Sequence, residues 1–237
     1  MARTLVECLK LFNRKERYWL IRNALGQSGE ELNLSSSFLH RLSNETGVDI
    51  PTGAWWAIDY HIDWLFGALG LDGTTDIDWA APLENPVVSH SAEPPLRLIR
   101  GTHEDFDLII AFDRTIILME AKGVTSWGND QVKSKHQRLR EWQDHSHRLR
   151  TDKTRTADPL QIIVVLASPN KPAKLDELDW PTSVNGNGGA PLFFALDFSQ
   201  APDSFCVPER CDADGFTTKK GNSWKIQRVR RPRLRVP

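Results

Sequence analysis

At 237 residues, with 40% hydrophobic and 26% charged side chains, the chain has the make-up of a soluble globular protein with one large domain or two small ones. Its net charge of −1 excludes a general polycation, so a nucleic-acid partner would have to be held by local basic patches. Cys8, Cys206 and Cys211 are too few for a disulfide framework, and the charged opening segment leading into Arg14-Lys15-Glu16-Arg17 lacks a signal-peptide pattern; a cytoplasmic protein is expected.

The first 50 residues read as a helical region. Arg14 to Leu25 is helical and stops at Gly26. Ser35–Ser37 can cap a helix through Phe38, Leu39 and Leu42 that ends near Gly47. Pro51-Thr52 opens a third helix, in which Trp55, Ile58, Ile62, Leu65, Phe66 and Leu69 fall on one stripe. Asp59 and Asp63, four apart, stack along its edge. Residues 54–71 are apolar enough to raise a membrane span. Two central aspartates at roughly 2.5–3.5 kcal/mol each make a buried soluble helix the better reading.

Residues 72–95, rich in Asp, Pro, Gly and Ser, read as a connection with room for one short element. Leu96–Arg100 is a candidate strand, and a hairpin follows with strands at 106–112 and 115–122, broken by Gly123. From 127 to 150 the pattern is helical: Val132, Leu139, Trp142 and Leu149 form a thin apolar stripe, edged by Gln131, Lys135 and Arg138. Gln161–Ala167 is an uninterrupted apolar run, as in a strand covered on both faces, and 191–196 is another strand. After Gly215 the tail carries Lys219, Lys220, Lys225, Arg228, Arg230, Arg231, Arg233 and Arg235 without an acid. Trp224 and Ile226 alternate there with polar residues, a strand signal. The order helix, strand, strand, strand, helix, strand predicts an α/β fold: a mixed sheet with helices on its faces. The division expected is 1–50 helical region, 51–200 core and 201–237 basic extension.

The chemistry concentrates in the hairpin. Asp107 lies near the start of its first apolar run, and Glu120-Ala121-Lys122 closes the second. Side chains alternate along a strand, so Glu120 and Lys122 point the same way. A buried carboxylate or lysine is unfavourable unless paired or bound to a metal. The competing reading is a surface cross-strand charge pair, against which the apolar flanks argue.

These residues in this element order resemble the PD-(D/E)XK nuclease superfamily, whose restriction-endonuclease-like αβββαβ core carries an acid on its second strand and a carboxylate-x-Lys on its third. The resemblance covers about residues 53–200, with Phe106 where the family often has proline. It implies a metal-dependent nuclease hydrolysing phosphodiesters, of DNA rather than RNA, with Mg²⁺ (or Mn²⁺ in its place) as cofactor. Asp107, Glu120 and Lys122 would be catalytic. Asp107, Glu120, the Ala121 carbonyl and Asp63 (Asp59 second) would hold metal, since Mg²⁺ takes hard oxygen ligands. Gln131, Lys135 and Arg138 would contact the nucleic acid, though Gln131 and Lys135 read equally well as a solvated helix edge. Gln137 offers a weaker match to the glutamine of recombination-type exonucleases. A homodimer is among the states such nucleases adopt. The runner-up is a catalytically silent member of the fold that binds nucleic acid or assembles with protein.

Other features read as bland. Cys206 and Cys211 lack the partners for a zinc site. His145 and His147, two apart, fall on different helix faces, and His61 reads as a packed or locally bonded residue. Nucleotide-binding glycine loops and a Gly-x-Ser-x-Gly elbow are missing.

Overall fold

The computed structural model describes residues 2–12, 14–25, 32–75, 81–123, 130–149, 159–171, 181, 184, 189–199 and 201–231, the first two residues of the long helix by backbone alone. Three helices come first: α1 (Leu5–Leu11), α2 (Glu16–Leu25) and α3 (Ser36–Thr46). A capping box starts α1, with the Thr4 hydroxyl accepting from the Glu7 amide and the Glu7 carboxylate accepting from the Thr4 amide. The Ser35 hydroxyl caps α3 as expected, and Gly47, at φ +71°, ends it in the left-handed conformation that glycine adopts without penalty.

The third predicted helix is where expectation and structure part. Trp55–His61 is a strand, β1, and only Ile62–Leu71 is helical, α4. The aromatic run 55–61 has high strand preference, and β1 pairs antiparallel with β4 (Asp105–Phe112), matching Trp55 to Ala111 and Ala57 to Ile109. Trp55 and Ala57 join the core on one face of the sheet while Trp56 packs against the core on the other. With both faces covered, apolar residues fall at helical and at strand spacing alike. Leu96–Arg100 is corrected too. Leu96–Arg97 (β3) pairs with Val87–Ser89 (β2) in a separate two-stranded sheet, so the first strand of the main sheet is β1.

The main sheet runs β1, β4, β5 (Thr115–Ala121), β6 (Gln161–Ser168), β7 (Leu192–Ala195). Its β1/β4 and β4/β5 pairs are antiparallel, and β5/β6 and β6/β7 are parallel. The sheet is therefore mixed. The helix α5 (Asp130–Leu149) lies in the chain between β5 and β6, as a parallel crossover requires. In β5 every residue from Thr115 to Glu120 is buried.

The core lies on both faces. On one, Leu5 and Leu9 of α1, Leu65 and Phe66 of α4, and Leu139 and Trp142 of α5 cover Ile109, Leu118 and Val164. On the other, Leu39 and Leu42 of α3 cover Ile110, Ile117 and Val165. Each fully buried aliphatic side chain contributes about 1.5–3 kcal/mol against exposure. The amino-terminal helices thus share the cores of the sheet. The last described elements form a hairpin, β8 (Ser204–Cys211) with β9 (Ser223–Arg230), a two-stranded sheet of its own. Among the described residues no helix is long and apolar enough to cross a membrane.

Candidate active site

The site forms where the pairing of β4 with β5 ends. The ladder runs from Phe112 opposite Thr115 to Leu108 opposite Met119. One step beyond, the Ala121 amide donates to Asp107 Oδ2 at 2.6 Å, so a side-chain carboxylate replaces the backbone acceptor of a continuing ladder. In a strand the carbonyl of a residue turns to the same edge as its amide. Ala121 therefore presents its backbone towards Asp107. Among the described residues this amide is the one donor to that carboxylate.

Glu120 is 4% exposed and sits beside Leu166 of β6. Two ammonium groups meet its carboxylate. Lys122 Nζ donates to Oε1 at 3.2 Å, the same-face geometry expected of Glu-x-Lys. Lys135, reaching in from α5, donates to Oε2. Lys135 is 7% exposed, and its ammonium lies 5.1 Å over the Phe106 ring, a cation–π contact that helps hold it in the interior. The structure thus gathers Asp107, Glu120, Ala121, Lys122 and Lys135. Lys135 is no solvated edge residue: its charge is spent on Glu120.

Asp63 and Arg138 belong to a different cluster. Asp63 Oδ2 accepts from the amides of Arg100, Gly101 and Thr102 at 3.0, 2.6 and 3.2 Å. Its Oδ1 accepts from Arg138 Nη2 at 2.5 Å. Protein donors thus engage both oxygens of that carboxylate, which closes the loop 100–102 onto α4, and among the described residues it does not join Asp107 and Glu120 in a metal-binding group as the sequence reading expects. Arg138 is 1% exposed and also donates to the Leu98 carbonyl at 2.8 Å. A guanidinium so enclosed does not reach a nucleic-acid backbone, so its reading as a substrate contact is corrected as well. Arg100 pairs with Glu141, and Gln137 donates to Glu141 at 3.3 Å, which accounts for both. Asp59, on β1 at φ 50°, pairs with Arg17 at 3.0 Å and does not share a helix face with Asp63. The backbone of Gln131 lies in α5, and its side chain falls outside the described residues.

Sequence reasoning did not find the partly buried network of Arg100, Glu104 and Glu141 around the buried Arg138. A signal for its centre was present, since Lys135 and Arg138 interleave with the apolar stripe of α5 rather than lying opposite it. His61 is packed as the sequence suggests, 6% exposed with its ring 4.2 Å from that of Trp64, but its Nδ1 has no partner among the described residues. Burial holds its pKa below the usual histidine value, with the charge of Lys15 adding to the effect. Cys206 is exposed and Cys211 buried, both as free thiols.

Among the described residues no three His, Cys, Asp or Glu side chains converge as a metal-binding group. Asp107 and Glu120 supply two hard-oxygen donors on neighbouring strands, and Mg²⁺ is commonly held by one or two carboxylates, the rest of its shell being water and phosphate. Two lysines on one buried carboxylate also mark a position that demands positive charge. The donor set of Asp107, Glu120 and the Ala121 carbonyl is therefore of the kind a divalent ion takes, provided a lysine yields its place on Glu120. Family models, curated proteins and solved structures were compared with the chain, and none matches it.

Proposed function

We propose that this protein is a divalent-metal-dependent nuclease of the restriction-endonuclease-like type, cleaving phosphodiester bonds of DNA in preference to RNA. The observation that carries the reading is the grouping of Asp107, Glu120 and Lys122 at one end of adjacent strands, with Lys135 brought in by the crossover helix. The strand sequence supports it: β1, β4, β5 and β6 are consecutive in the sheet, paired antiparallel, antiparallel and parallel, with a helix before the last. In this reading α4 and the small β2–β3 sheet are insertions between the first and second core strands.

Asp107, Glu120 and the Ala121 carbonyl would hold the ion, Mg²⁺ or Mn²⁺. Bound there, it supplies Lewis acidity towards the phosphate and lowers the pKa of coordinated water. The chain's own contribution is electrostatic. Lys122 stands beside Glu120, where its ammonium can stabilise charge building on the phosphoryl oxygens. Lys135, reaching in from α5, holds the Glu120 carboxylate in place. Phe106 and the covering helix exclude water from that pair, which strengthens each interaction.

The test is cleavage of labelled linear, circular and single-stranded DNA with Mg²⁺, Mn²⁺ or EDTA. Metal-dependent products that vanish in Glu120→Gln and Lys122→Met support the reading, and products that persist in both remove the site. One observation favours the second reading, a silent nuclease fold serving as a nucleic-acid-binding or assembly module. Both Glu120 oxygens are already engaged by lysines, and among the described residues no third acid joins Asp107 and Glu120. DNA binding without cleavage under any metal decides for it.

A further inference from the structure

The terminal hairpin segregates its charge by face. Its register sets Arg210 opposite Trp224, Pro208 opposite Ile226, Cys206 opposite Arg228 and Ser204 opposite Arg230. Residues directly opposite in an antiparallel pair share a face, and alternate residues along each strand join them. One face therefore carries Arg210, Trp224, Ile226, Arg228 and Arg230, all exposed, and no acid. Glu209, the acid of β8, points to the other side and pairs there with Lys225 at 3.5 Å.

Trp224 and Ile226 are each 66% exposed, which a ribbon meant only for solvent has no reason to display. The arginines beside them are held in position. Arg228 Nε donates to Ser204 Oγ at 2.6 Å, and Arg210 donates through Nε and one Nη to the Gly221 carbonyl. A guanidinium has five donors, so these bonds orient each arginine and leave others for a ligand. Arg228 and Arg230 also line a cleft of about 650 Å³, together with Arg231, Ser204 and the acid Asp203.

We infer that this face of the β8–β9 hairpin binds a single-stranded stretch of nucleic acid, with Trp224 stacking on a base and Arg228 and Arg230 on successive phosphates. The substrate class is taken from the proposed nuclease reading. An indole flanked by arginines suits a strand with unstacked bases, because every base offers a π-face while its backbone is uniformly anionic. A duplex keeps its bases stacked and offers Trp224 nothing equivalent.

The experiment uses the full chain in EDTA, so that nothing is cleaved, and follows a fluorescein-labelled single-stranded oligodeoxynucleotide and its duplex by anisotropy across a salt series. Wild type is expected to bind the single strand more tightly than the duplex. Trp224→Ala should weaken single-strand binding about fivefold or more. Arg228→Gln with Arg230→Gln should weaken it about tenfold or more and flatten the log–log salt slope by about 1.4, two single-strand phosphate contacts. Lys225→Gln, on the opposite face, should bind as wild type, and far-UV circular dichroism checks that every variant is folded. Unchanged affinity in both hairpin variants overturns the inference, as does absence of wild-type binding, the outcome expected if the face serves an acidic protein. The two readings fail separately. Hairpin-dependent binding without metal-dependent cleavage leaves the inference standing and removes the nuclease. Glu120-dependent cleavage with binding indifferent to the hairpin does the reverse.

Discussion

Replacing Asp63 by alanine separates a structural carboxylate from a metal ligand. Four protein donors converge on Asp63: three consecutive amides of the loop 100–102 and the guanidinium of Arg138. Arg138 is 1% exposed, so the substitution strands a buried charge. Breaking a buried pair from one side costs about 3–5 kcal/mol. Arg138 keeps the Leu98 carbonyl at 2.8 Å and the more distant carboxylates of Glu104 and Glu141 at 3.6 and 3.9 Å, which pulls the value towards the lower end. Three amides losing their acceptor pull it back, at about 0.5–1.5 kcal/mol for each net hydrogen bond lost. The expected loss is therefore about 3–5 kcal/mol, a large part of the roughly 5–15 kcal/mol that holds a domain folded. At about 2–4 °C per kcal/mol for a chain of this size, the melting temperature should fall by about 6–20 °C. Asp63→Asn, which keeps an oxygen for the amides, should lose less. Urea unfolding and thermal melts in EDTA measure both. An Asp63→Ala protein within about 1 kcal/mol of wild type, yet without Mg²⁺-dependent activity, would refute the structural role and restore the ligand role that the sequence suggests.

Lys135→Met removes one of two cations from the buried Glu120, and Lys122 remains, so the expected cost is about 1–3 kcal/mol, below that of a fully broken buried pair. If Glu120 takes a divalent ion, millimolar MgCl₂ should recover part of that loss in a thermal melt; an equal loss with and without Mg²⁺ argues against a metal at Glu120. Thiol titration of the native protein should find Cys206 alone reactive, because Cys8 and Cys211 are buried and burial raises the Cys8 thiol to about 11. Reaction of all three before unfolding would contradict the packing of α1. Gly221→Ala would set a methyl 2.0 Å from the Cys211 carbonyl oxygen, a backbone contact that cannot give way cheaply. Hydrogen exchange should accelerate in β8 and β9 and stay unchanged in β5 and β6.

How legible these features are in the sequence depends on how local their causes are. The strands β4, β5 and β6 are readable as apolar runs broken by Asp113-Arg114 and Gly123, and Ser35 and Gly47 mark the ends of α3 by local capping chemistry. The segment Trp55–Leu71 misleads because β1 is covered on both faces and leads straight into α4. Its residues satisfy two periodicities, and only pairing with β4 chooses between them. Among the site residues, Glu120 with Lys122 follows from strand alternation alone. The Lys135–Glu120 pair joins residues on different elements and has no local signature. Asp63 misleads for the same reason: its acidic side chain is visible, but the amides that saturate it arrive from a loop far along the chain.

The most direct measurement of the proposed activity is single-turnover cleavage of end-labelled DNA by the full chain in Mg²⁺, set against Glu120→Gln and Asp107→Asn. Both variants are nearly isosteric, and their folding is checked by thermal melts. Metal-dependent cleavage by wild type, reduced at least about a hundredfold in each variant, is the predicted result and corresponds to about 2.7 kcal/mol or more of lost transition-state stabilisation. Cleavage at wild-type rates in both variants, or none by wild type with any divalent ion, would contradict a nuclease built on these two carboxylates.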